Sequence, residues 1–325
     1  MARRSNPEIV AIAASEEGLH PQGDDIDWQE SVYLAWRDPA SRLGGNHRLG
    51  NELNRCRANL WCGVYRDGGP RFRCNSEELP LERLDAPGLT AGPQRLFHDG
   101  TGLRFELDGE DCRIRLEIVD DSASHADATA AAFGGSAGPA GAILSSHFNA
   151  FCRVRGTVEL DEQRFDIDGH GWRDHSWGVR RWDSFTSSRS FGGSWRSLQF
   201  RYGSMVGANG SFFRRGTLTR DGEPLDVVDA AMLVSLDDDS LRCPSAEVTY
   251  HLADATSTVV RIDVIGGMLA VTRERCGWES VGDVRVDGQP GGWGFLEVNN
   301  NPRAGRSLPP FALDAALTNG VVERR

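Results

Sequence analysis

A strict two-residue alternation of apolar and polar side chains runs through this chain. Asp111–Val119 reads DCRIRLEIV, with Cys112, Ile114, Leu116 and Ile118 on one face and Arg113, Arg115 and Glu117 on the other. Successive side chains of a strand point to opposite faces, so this pattern predicts an antiparallel strand with one face buried and one in water. Cys152–Leu160 repeats the pattern, and Gly156 inside it predicts a bulge or bend. Further strands are expected at Arg57–Tyr65, Leu103–Leu107, Leu198–Val206, Glu247–His251, Thr258–Ile265, Val281–Val286 and Trp293–Val298. The dipeptides Asp67-Gly68, Asp108-Gly109, Asp221-Gly222 and Asp287-Gly288 punctuate them as tight turns. No window carries a long helical period. The expected class is all-β, with few short helices. Ser122–Gly141 is Ala-, Gly- and Ser-rich, and a short helix is expected at Ala126–Ala132 before a loop.

Composition then excludes function classes. At 325 residues and 39% hydrophobic content the chain can build a large core, either two domains or one large β unit. The net charge of -11 makes nucleic acid and anionic membranes poor partners. The chain has no Lys, so Schiff-base and Walker-lysine chemistry is ruled out. Seven scattered Cys form neither a zinc ribbon nor a disulfide framework. Cys112 and Cys152 read as small buried apolar groups. The apolar run Ile9–Ala14 is too short for a signal-peptide core, and no later run is long enough to span a bilayer. A cytoplasmic protein is expected. Gly44-Gly45-Asn46-His47 sits between no strand and helix and reads as a loop, not a phosphate cradle. His20, His98 and His125 stand in polar, turn-like contexts and are expected to be exposed.

Chemistry concentrates in Asp168–Trp182, DGHGWRDHSWGVRRW, which gathers two His and three of the nine Trp. Charged groups need partners and indoles need apolar cover, and a segment that must satisfy both commonly lines a site. On a regular strand Trp172, Asp174 and Ser176 face one way, and Arg173, His175 and Trp177 the other. A Ser-His-Asp triad from three consecutive residues is therefore geometrically poor, since triad members must converge.

Gly171–Gly178, GWRDHSWG, resembles the G-x-x-D-H-x-W-G signature of the carotenoid 1,2-hydratase (hydroxyneurosporene synthase) and AttH-like group. The match is closer to a bacterial branch in which R-D-H-S-W-G-x-R-x-W is typical. Glu30–Asp67 and His147 ahead of the next strand also resemble that branch, although an acidic residue is expected where Asn149 stands. The resemblance implies two lipocalin-like antiparallel β-barrel or half-barrel domains, set at 20–165 and 166–320. It also implies cofactor-independent lyase or isomerase chemistry on a hydrophobic, terpenoid-like molecule.

Three readings of the motif stand side by side. In the first, Asp174 among indoles is a general acid and His175 or His147 its base or water-holding partner. Trp172, Trp177, Trp182, Trp36, Arg173, Arg180 and His170 then line the substrate. In the second, the barrels hold an apolar ligand without catalysis, and Trp36, Trp61, Trp195 and Trp293 are cavity walls. In the third, His170, Asp174, His175 and His147 ligate a metal, but their spacing matches no ligand pattern. We expect no metal and no cofactor. Beside these readings stands a structural one, in which Asp174, Arg173, Arg180 and Arg181 form an ion-pair network covered by Trp177 and Trp182. The expected partner is a hydrophobic small molecule, and a homodimer is left open.

Overall fold

The computed structural model describes residues 12–67, 69–125, 146–208, 210–237, 242–271, 276–300 and 321–322. The helix expected at Ala126–Ala132 lies outside them. Strand makes up 74% of the described residues and helix 4%, so the fold is all-β. One antiparallel sheet contains β1 (Trp28–Asp38), β2 (Leu43–Glu52), β3 (Arg57–Arg66), β4 (Gly69–Pro80), β5 (Gly88–Ala91), β6 (Gln94–His98), β7 (Leu103–Asp108), β8 (Cys112–His125), β9 (Ser146–Leu160) and β10 (Gln163–Val179). Its spatial order is β4-β3-β2-β1-β10-β9-β8-β7-β6-β5, so the first and last strands of the set lie side by side. The second sheet contains β11 (Phe185–Trp195), β12 (Leu198–Gly207), β13 (Phe212–Arg220), β14 (Glu223–Leu225), β15 (Val227–Ser235), β16 (Ser245–Leu252), β17 (Ser257–Val271), β18 (Cys276–Val286) and β19 (Gln289–Asn300). Its order is β14-β13-β12-β11-β19-β18-β17-β16-β15.

Every strand expected from alternation is present. Asp221-Gly222 and Asp287-Gly288 hold two consecutive left-handed residues, φ 52° and 82°, then 47° and 80°, the geometry of a type I′ hairpin. No helix among the described residues is long and apolar enough to cross a membrane.

Packing divides the chain into two units interleaved along the sequence. Unit 1 takes Met1–Leu34, Arg48–Leu60 and Glu77–Arg181, and unit 2 takes Ala35–His47, Trp61–Ser76 and Trp182–Arg325. The boundary expected between residues 165 and 166 falls inside β10.

Each sheet curls on itself. In unit 1 the Gln94 side chain donates to the Arg48 carbonyl at 3.2 Å, and Asn51 donates to the Thr90 carbonyl at 3.4 Å, tying β2 to β5 and β6 across the ends of the sheet. In unit 2 a Cβ placed on Gly216 of β13 would lie 2.5 Å from the Ala230 Cβ of β15, so the last strands of that sheet also meet. The core of unit 1 lies on the face of Ile114, Leu116 and Ile118, paired with Val158, Gly156 and Val154. Cys112 and Cys152 are buried, and burial pushes the Cys112 thiol up to about 12.

Two local expectations change. Gly44–His47 belongs to the buried strand β2, not to a loop. A Cβ on Gly45 would sit 2.8 Å from the Trp36 indole nitrogen, so the glycine permits close packing that composition alone reads as a loop. Trp36 Nε1–H donates to His47 Nε2 at 2.9 Å, and His47 Nδ1 lies 3.2 Å from Cys62 Sγ. The bulge expected at Gly156 instead falls on β8, between Asp120 and Ser122. Gly156 pairs in register with Leu116 at φ 149°, and a Cβ there would stand 1.9 Å from the Arg115 carbonyl oxygen. Gly156→Ala is expected to destabilise the protein by more than about 2 kcal/mol, read as a lowered denaturant midpoint at unchanged slope. A neutral outcome would refute the close approach.

Candidate active site

Strand β10 positions the motif, and its register with β9 sorts the residues. Arg173, His175 and Trp177 pair with Ala150, Phe148 and Ser146, on the same face as Cys152, Val154 and Val158. They therefore point to the core side of unit 1. Trp172, Asp174 and Ser176 pair with Phe151, Asn149 and His147 on the other face. Adjacent Asp174 and His175 thus diverge, as strand geometry demands. Asp174 and His147 share a face as diagonal neighbours.

On the core side, the neighbour of β10 is β1, all eleven residues of which are buried. From it Glu30, with no exposed surface, reaches His175, also fully buried: Nε2 lies 2.7 Å from Glu30 Oε1. A second imidazole meets the same oxygen, His20 Nδ1 at 2.7 Å. The His20 backbone N–H donates to Glu30 Oε2 at 2.9 Å. The His20 ring lies flat on Trp177, with centroids 3.6 Å apart and planes 5° from parallel. Phe148 and Trp177 stand edge-on to His175 at 5.3 and 5.6 Å. His175 Nδ1 is buried with no hydrogen-bond partner among the described residues.

Burial alone would raise the Glu30 pKa. Hydrogen bonds from His175 and His20, the charge of His175 and the His20 backbone N–H outweigh it and hold the carboxyl below the usual range. Glu30 is thus an ionised carboxylate at neutral pH. Ionised, it is acceptor only, so each imidazole turns an N–H toward it. That leaves Nε2 of a neutral His20 as the nitrogen with the lone pair. It lies 3.7 Å from Glu16 Oε2, and the His20 side chain keeps 16% of its surface exposed.

Next to this group, Arg173 is clamped by two acids. Its Nη1 and Nη2 donate to Glu17 at 3.1 and 2.7 Å, and its Nε and Nη2 to Asp120 at 2.9 and 2.6 Å. Its guanidinium also sits 5.2 Å from the Phe148 ring centroid. Arg173, expected to bind substrate, spends these donors on Glu17 and Asp120. Arg180 donates its backbone N–H to the Asp27 carbonyl at 3.1 Å and its side chain to Ser176 Oγ. Arg181 pairs with Asp25 and Asp27.

On the opposite face Trp172 packs against Tyr33 at 5.9 Å, and Ser176 Oγ lies 3.3 Å from Ser31 Oγ. His147, Asn149 and Trp172 are buried there, and Asp174 is partly exposed. His170 receives Arg153 Nη1 at 3.2 Å. Trp36 and Trp182 belong to unit 2, the latter with its ring 6.3 Å from Phe185.

Two members of the core-side site were not singled out from sequence. His20 was expected to be exposed, but it is half-buried because Trp177 and Glu30 hold it. Glu30 lies in the stretch that resembles the hydratase-like branch, yet nothing local marks it. The signal available was an acid inside WQESVYLAW, a segment too apolar to be a solvated loop. His20, Glu30 and His175 also bring three metal-type donors within 4.8 Å of one another. Both nitrogens stand at hydrogen-bond distance from one oxygen. A zinc ion needs about 2.0–2.2 Å to each ligand, so both rings would have to draw back from Oε1 to admit one.

Two outcomes follow. Arg173→Ala strands Glu17 and Asp120 and is expected to cost about 3–5 kcal/mol of stability, measured by urea unfolding. A loss below about 1 kcal/mol would contradict a clamped ion pair. For Glu30 the folded pKa is depressed. Its contribution is therefore present above the ordinary glutamate range and lost as pH falls through the folded value. Melting curves of wild type and Glu30→Gln are expected to differ at neutral pH and to converge in acid. Curves equally far apart at every pH would contradict an ionised Glu30.

Solved structures show which fold this is. A protein of Nitrosomonas europaea given as AttH superposes with a TM-score of 0.59 at 11% identity, over 92% of this chain and 99% of that one. Kievitone hydratase from Nectria haematococca gives 0.56 at 7% identity, over 90% and 93%. CghA gives 0.53 at 9%, over 85% and 88%. At these identities the likeness is one of fold. No curated protein matches the chain. The family model described as Domain of unknown function (DUF7064) matches residues 13–302, nearly the whole described chain, and this protein belongs to that family.

Proposed function

We propose that the protein is a cofactor-independent lyase or isomerase, moving protons on a hydrophobic, terpenoid-like small molecule. The observation that carries the proposal is Glu30, an ionised carboxylate without exposed surface, bonded through one oxygen to two imidazoles. A carrier of apolar ligands has no use for such a group, and a buried charge is costly to keep. An acid–base enzyme does use it: a carboxylate on one imidazole nitrogen fixes the tautomer and steadies the cation formed when the other nitrogen takes a proton. In this reading His20 Nε2 accepts the proton, and Glu30 orients the ring and balances its charge. Trp177 is the aromatic floor, whose face also stabilises a developing cation. His175 is the second imidazole of the set.

Asp174 and His147, diagonal on the other face beside Trp172, form a second acid–base pair, with Asp174 as general acid. Likeness of fold to a kievitone hydratase supports hydration or dehydration as the first reactions to try. The partner is the small molecule, and the free thiols suit the reducing cytoplasm.

The test incubates the protein with kievitone and with acyclic isoprenoid alkenes in heavy-oxygen water and follows product mass. His20→Gln and Glu30→Gln are expected to lower turnover about 10²–10⁴-fold with folding retained. Turnover is expected to survive dialysis against a chelator. Full activity in His20→Gln, with loss in Asp174→Asn, would move the chemistry to the other face of β10. Full activity in both variants would sink the acid–base reading.

A further inference from the structure

The geometry points to residues 14–27 as a strap that closes over the His20–Glu30–His175 site and opens independently of the barrel, with the Glu17–Arg173 pair as its latch. The inference rests on the proposed site only for its purpose, since the opening itself is read without any substrate.

The strap is a single turn, Ala14–Glu17, followed by irregular chain that turns again at Asp25–Asp27. It forms no strand of either sheet. It is tied down mainly through polar side chains. Glu17 takes both terminal nitrogens of Arg173. His20 is bound to Glu30 by ring and backbone. Asn54 donates to the carbonyls of Gly23 and Asp25 at 2.8 and 2.7 Å, and Asp25 and Asp27 meet Arg181. Of its two large apolar side chains, Ile26 is 52% exposed and Leu19 is partly buried. A segment that places acids and an imidazole inside, and only the partly buried Leu19 among its large apolar side chains, adds little hydrophobic stabilisation, so its opening free energy falls well below that of the ladder it covers.

What it covers is the working face. His20 stacks on Trp177 and stands edge-on to His175 at 5.3 Å, and Glu17 covers Arg173. His175 and Glu30 have no exposed surface while these contacts stand. A substrate that is to meet this face needs the strap to lift. Because His20 travels with the strap, one motion both admits the ligand and delivers the acting imidazole. Groups facing His20 from neighbouring elements are Glu16 on the strap, Glu30 on β1, and His175 and Trp177 on β10.

Amide exchange read by peptide mass, with diethyl pyrocarbonate labelling of His175, tests this. In the wild type, amides of residues 18–24 are expected to exchange about 100-fold faster than those of β9 and β10, with little dependence on low urea, the mark of local opening. Glu17→Gln is expected to speed that peptide and His175 labelling together, about tenfold, a latch loss of about 1.4 kcal/mol, leaving β9 unchanged. Exchange of residues 18–24 in step with β9, with full urea dependence, would overturn the strap even if the variant failed to fold. So would unchanged His175 labelling in a folded Glu17→Gln. Neither result bears on whether His20 is catalytic, which the turnover assay decides.

Discussion

Charge placed on the apolar face of a barrel is the constraint around which this unit is organised. Arg173 and His175 point from β10 toward the side occupied by Val154, Val158 and Ile114, where an unpaired ion would be very costly. The chain answers each charge with partners from distant sequence. Arg173 receives Glu17 and Asp120, and Glu30 receives His20 and His175. Two of these partners come from the strap ahead of β1, so the polar cluster and the folding of that segment are one problem. Removing Arg173 leaves Glu17 and Asp120 unpaired at once, which destabilises far more than the pairs stabilise.

The same cluster carries the proposed chemistry. An ionised carboxylate with two imidazole N–H donors and a backbone N–H is already solvated by the protein. In the proposed reaction it steadies a proton taken up by His20 without water. The apolar walls Phe148 and Trp177 lower the local dielectric and strengthen those bonds. On the reverse face of the same strand, Asp174 and His147 lie over a bed of buried Asn149, Ser176 and Trp172. A single strand thus presents two polar arrays, because alternation separates neighbours such as Asp174 and His175 by the thickness of a sheet.

Much of the fold was legible in the sequence wherever a strand has one wet face. β8, β9, β12 and the strands from β16 to β19 show clean alternation, and Asp-Gly pairs mark their turns. β1 was not legible. Both of its faces are buried, and Gln29, Glu30, Ser31, Arg37 and Asp38 are inside with the tryptophans, which erases the pattern. β2 was hidden by its glycines, which serve close packing against Trp36. The motif residues Arg173, His175 and Trp177 were found because several costly side chains crowd one short run. Their partners Glu17, His20 and Glu30 were not, since a lone acid or histidine in polar sequence resembles a solvated one.

The sequence by itself determined the strand class, the turns, the exclusion of lysine chemistry and the two-faced layout of the motif. Those follow from local rules: side-chain alternation, turn dihedrals and composition. Only the tertiary structure decided that β1 lies against β10, that the chain divides into interleaved units, and that Glu30 becomes the shared acceptor of His20 and His175. The reason is that a buried ion's partners are chosen by proximity in space, at separations of 10 and 145 residues here, and no periodicity along the chain records them.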